Sequence, residues 1–169
     1  MITFEFNKDK AVELILYLAN KKCKIDKLTL LKFLFFADVY HLNIYNRSIL
    51  GGKYVAMKLG PVSSQLRDLI ENGSTDFSVR GNNIIPNRNS DIDYFSKSDL
   101  EALEYAYNQY SQFSGTELSN ISHEHKAWAR ARKREPHSNN PDMFYEDFFE
   151  QCSEEKIKFL EENAHLMVI

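Results

Sequence analysis

The chain is poor in the residues that make small secreted folds, metal sites and membrane spans. It has two cysteines, Cys23 and Cys152, far apart in 169 residues. They match no metal-ligand spacing and form no disulfide framework, so two free thiols in a reducing compartment are expected. Four prolines and six glycines leave no room for low-complexity linkers. Neither sign of charge dominates: 21 basic against 24 acidic residues give a net charge of -3, so nothing global points to nucleic acid. The longest apolar run, Leu28 to Leu42, is broken by Lys32, Asp38 and His41 and is too short to span a bilayer. The first residues carry Glu5 and Asp9 where a leader would be apolar. A cytoplasmic chain is expected.

What is present is aromatic. Twelve Phe and nine Tyr exclude a disordered chain. A single domain of this length can bury roughly 70% of the surface its unfolded chain exposes. The expected class is mainly α (α+β), one compact domain over residues 1–169 around a buried central helix, with a small β-hairpin at an edge.

Met1–Phe6 alternates and permits a short strand. Asn7 caps a first helix along Ala11, Leu14, Ile15 and Leu18. Asp26 caps a second. Its Leu and Phe positions cover nearly every side, which marks a buried helix. Asp38 and His41, three apart on it, can pair. Tyr54, Val55 and Met57 suit a strand, and Pro61 suits the first turn of a helix through Leu66, Leu69 and Ile70. Phe77 to Pro86 reads as a hairpin around Gly81-Asn82. Ser98 and Glu101 offer a capping box for the next helix, and Ser114 or Thr116 caps a short one. A further helix covers His123 to Lys133, another restarts at Asn140-Pro141, and Ser153 caps a last one with Ile157, Phe159 and Leu160 inward.

Candidate chemistry is thin. On a helix, His123 and His125 point about 200° apart, whereas a helical two-His site needs a spacing of four. The bland alternative has His123 bonding a neighbouring loop and His125 solvated. There is no nucleophile elbow, P-loop or dinucleotide fingerprint, and no His is placed beside Cys23. No cofactor and no metal ligands are expected. Lys126, Arg130, Arg132, Lys133 and Arg134 surround Trp128. Acidic residues from Glu146 to Glu155 can neutralise that patch, so it suits a protein partner better than nucleic acid.

Two stretches are the most distinctive: Lys58-Leu59-Gly60-Pro61-Val62, and Leu118-Ser119-Asn120-Ile121-Ser122-His123-Glu124 running on to Trp128. With the Lys27–Asp38 helix followed by His41-Leu42, and Tyr54 to Val62, they occur in an order that resembles the Panacea domain, the SocA-like antitoxin family. The resemblance covers about 27–128, with the 141–165 helices packed on it. Met57-Lys58-Leu59 departs from the family pattern, which often has an aromatic before the glycine.

The resemblance implies a helical domain with a small β element. It also implies an antitoxin without an enzyme site, which binds and neutralises a cognate protein toxin. Partner-contact candidates are Tyr54, Lys58, Pro61, Arg67, Trp128 and Arg132. Asp38, His41, Gly60, Pro61, His123 and Glu124 make up the structural motif. Two other readings stay open. One is an adaptor delivering a bound client to a protease. The other is a metal-dependent hydrolase using His123, Glu124 and His41.

Overall fold

A computed structural model describes residues 1–167. The chain opens with an extended segment. Its Phe4 carbonyl accepts from Gly52 N–H, and Asn7 N–H donates to Leu50. These isolated bonds tie it down without making the strand expected there. Helix α1 (Lys8–Lys21) follows, capped by Asn7, whose side chain accepts from Lys10 N–H.

Helix α2 (Lys27–Tyr45) starts at Asp26, whose carboxylate takes both the Thr29 N–H and hydroxyl. Every residue from Thr29 to Asp38 is buried. A helix apolar on all sides must be covered on all sides. Here α4 (Lys97–Tyr110) and α5 (Gly115–His123) cover it, together with a hairpin of β1 (Tyr54–Met57) and β2 (Gly60–Ser63). Helix α3 (Ser64–Asn72) follows β2 directly, burying Leu66 and Ile70, and ends at Gly73. A second hairpin, β3 (Phe77–Arg80) and β4 (Asn83–Pro86), turns at Gly81-Asn82. Helix α6 (Lys126–Arg134) is set off from α5 by a break at Glu124-His125, and α7 (Glu154–Asn163) is followed by a short 3-10 turn, Ala164–Leu166. The class is mainly α with two small antiparallel ribbons. Among the described residues, no helix is long and apolar enough to cross a membrane.

Several local expectations are corrected. Pro61 lies in β2, opposite Ala56, instead of starting a helix. Ala56 sends its own N–H away from β2, to Pro141. Position 61 is therefore a non-hydrogen-bonded site, where a missing N–H loses no ladder bond. The α4 capping box is Ser96 with Asp99, not Ser98 with Glu101. No helix restarts at Asn140-Pro141. That backbone is used by β1 instead: Pro141 accepts from Ala56, and Met143 N–H donates to Tyr54. Only a 3-10 turn, Tyr145–Phe148, follows. In α7, Leu160 is buried but Phe159 points outward, 54% exposed.

Asp38 and His41 do not pair. Three residues along a helix leave side chains about 60° apart, and each meets a different neighbour. Asp38 turns to the 48–54 segment, accepting from Ile49 N–H at 2.7 Å, the Tyr54 hydroxyl at 2.6 Å and Ser48 at 3.1 Å. Burial still pushes its carboxyl up to about 6. His41 turns to α4. Its Nδ1–H donates to the Arg47 carbonyl at 2.6 Å, so Nε2 accepts from Ser98 at 2.9 Å. Beside it, Asp99 is ion-paired with Lys10 and Arg47, all three buried. This satisfied network locks α1, α2 and α4 together.

Candidate functional site

The two distinctive stretches meet. β1 and β2 are joined by two residues, Lys58 and Leu59, with Met57 facing Gly60 in register. Side chains from three helices grip the carbonyls around this turn. From α6, Arg132 Nη1 donates to Ala56 O at 3.4 Å and Trp128 Nε1 to Met57 O at 2.9 Å. From α5, His123 Nε2 donates to Lys58 O at 2.9 Å and Ser119 Oγ to Leu59 O at 2.8 Å. From α2, Lys32 Nζ donates to Pro61 O at 2.8 Å. Each helix pair is spaced i,i+4, which puts both donors on one face. The His123 and Trp128 rings also pack together, with centroids 4.3 Å apart.

The grip demands glycine at position 60. Its φ is +103°, and a Cβ there would stand 2.3 Å from Ser122 Oγ and 2.7 Å from Lys32 Nζ. Ser122 is itself buried and donates to Ser119 O. Lys32 is wholly buried with Pro61 O as its hydrogen-bond partner, and among the described residues no carboxylate pairs with it. Desolvation pulls its ammonium down to about 7.

The turn's own side chains face solvent. Lys58 is exposed, and Leu59 is 55% exposed. Arg67 of α3 lies beside them, half-buried, with Nη1 3.1 Å from Met57 Sδ and Nη2 3.1 Å from Asp68. Between α2, the hairpin and α3 runs a groove of about 400 Å3, floored by Leu28, Leu31, Val62 and Ile70.

The proposed contact residues thus divide. Lys58, Arg67, Trp128 and Arg132 surround the turn. Tyr54 and Pro61 do not reach the surface: Tyr54 is 1% exposed with its hydroxyl on Asp38, and Pro61 is buried. Both shape the hairpin from beneath. Glu124 caps α5 through its backbone, and its side chain has no hydrogen bond among the described residues. His125 is not solvated. It caps α6 at Ala127 N–H and packs edge-on against Phe35, and burial lowers its pKa to about 4. His41 belongs to the α4 network, so His41, His123 and His125 serve separate partners. Among the described residues, no group of three His, Cys, Asp or Glu side chains is placed to hold a metal ion. The basic run is engaged internally: Asp147 takes both Arg130 and Arg134 at 2.7 Å.

Lys32, Ser119 and Ser122 were not singled out from sequence as site residues. Lys32 carried a signal, as a lone cation within an apolar helix. Ser119 carried a weaker one, four residues before His123.

The model of one protein family, described as "Antitoxin SocA-like, Panacea domain", matches residues 30–129. That span runs from the first turn of α2 into α6 and includes the gripped hairpin with donors from all three helices. No curated protein and no solved structure matches the chain. More than half of the sequence lies within the match, and the chain belongs to the SocA-like antitoxin family with the Panacea domain.

Proposed function

We propose that the protein is a cytoplasmic antitoxin that neutralises a cognate protein toxin by binding it directly, without catalysis. The family supports the antitoxin role. The observation that carries direct binding is the hairpin tip. Lys58 and Leu59 project outward while the carbonyls around them are tied to α2, α5 and α6. A surface held in place before binding loses little conformational entropy on binding. An exposed leucine beside Lys58 and Arg67 is a small apolar anchor within a polar rim. A non-catalytic reading is supported by His41, His123 and His125, each engaged with structural partners. Both thiols are free, which suits a reducing compartment.

The test is co-expression with the product of the neighbouring reading frame. Wild-type protein is expected to rescue growth and to co-purify with that product. Leu59→Asp is expected to abolish both while its thermal melt stays within the wild-type range. Leu59 is a better probe than Arg132, because Arg132 also holds the Ala56, Ser138 and Asn139 carbonyls. Failure of the wild type to bind or rescue would reject the reading.

A further inference from the structure

The groove beside the tip combines an apolar floor with a cationic rim. Leu28, Leu31, Val62 and Ile70 make the floor, and Leu59 stands at the lip. Three cations line it, Lys27, Lys58 and Arg67, against one carboxylate, Glu71. Arg67 is partly neutralised by Asp68 and by Glu71 at 3.8 Å, although its buried Nε has no hydrogen bond. The ammonium groups of Lys27 and Lys58 have no ion-pair or hydrogen-bond partner among the described residues. This local excess of positive charge sits on a chain whose net charge is -3. Nucleic acid fits poorly, because the floor offers aliphatic carbons in place of stacking rings or phosphate-binding groups. A few aliphatic side chains with carboxylates beside them match both the floor and the rim.

We propose that this groove docks an acidic, apolar polypeptide segment. Its aliphatic side chains cover the floor, and its flanking Asp or Glu carboxylates pair with Lys27 and Lys58. On the antitoxin reading, from which the source is taken, that segment belongs to the toxin.

Two fluorescent helical peptides with one aliphatic face test the chemistry, one flanked by Glu and the other by Lys. Anisotropy titrations are run on the wild type, on the Lys27→Glu/Lys58→Glu double variant and on Leu59→Asp, each shown folded by circular dichroism. The Glu-flanked peptide is expected to bind the wild type about tenfold more tightly, equivalent to about 1.4 kcal/mol. The double variant should lose or reverse that preference, and Leu59→Asp should weaken both peptides. Equal binding of the two peptides, or binding of neither, overturns the proposal. So does saturation of the groove by a second copy of the chain, seen as a concentration-dependent dimer that Leu59→Asp abolishes. Co-purification with the neighbouring gene product separates the two readings. If that product binds the wild type and the double variant equally, the groove assignment fails and the antitoxin reading stands. If it does not bind at all while the Glu-flanked peptide does, the antitoxin reading fails and the groove remains a peptide site.

Discussion

The two β-ribbons are alike in form and unlike in support. Each has two four-residue antiparallel strands joined by two residues. In β1–β2 every strand residue except Met57 is buried, and five carbonyls around the turn accept from helix side chains. In β3–β4 only Phe77 and Ile84 are buried. Backbone bonds tie that ribbon to the rest of the fold: Lys27 N–H to Asn82 O, and Ile84 N–H to Ile25 O. A short hairpin is marginal by itself. Side chains from outside turn the first into a fixed platform, while the second lies along the α1–α2 connection as a covering strip.

The glycines at the two turns should separate the ribbons most strongly. Gly60→Ala combines an unfavourable φ with a clash against Ser122 and Lys32, and is expected to cost about 3–5 kcal/mol. Gly81→Ala has a φ of +61° and open space around it, so about 1 kcal/mol is expected. Urea unfolding of both variants checks this, and equal losses would mean that the platform yields.

The next largest effect is in pH. Folded Lys32 gives up its proton near 7, while the unfolded chain keeps it to about 10.5. Between those values the unfolded state binds more protons, so this residue makes stability rise with pH, by up to about 1.4 kcal/mol per unit. Lys32→Met should flatten that slope across pH 7–10 in urea midpoints. A slope unchanged from wild type would show that the ammonium is solvated after all. Trp128→Phe keeps an aromatic ring, though a smaller one, but leaves the Met57 carbonyl without its donor, and a loss of about 1–2 kcal/mol is expected from thermal melts. The smallest effect is at the tip, where Lys58→Ala should shift stability by less than about 0.5 kcal/mol.

Much of the scaffold could be read locally. The all-round apolar pattern of α2 and the caps at Asn7, Asp26, Ser114 and Ser153 depend on neighbours within a few residues, and the structure has them. Three of the corrected expectations share a cause. Pro61, Asn140-Pro141 and the Asp38–His41 pair were judged from local preference, and each was decided by a distant partner: β1 for the prolines, and the 48–54 segment and α4 for the pair. The site was legible as two conspicuous stretches but not as one place. Some sixty residues separate Leu59 from Ser119, and the acceptors are main-chain oxygens, which leave no mark in the sequence.

Because the helices grasp atoms that every amino acid possesses, the letters at positions 58 and 59 are free to change while the loop keeps its shape. On the proposed antitoxin reading, a lineage can rewrite that tip one substitution at a time and meet a new adversary without rebuilding the fold beneath it.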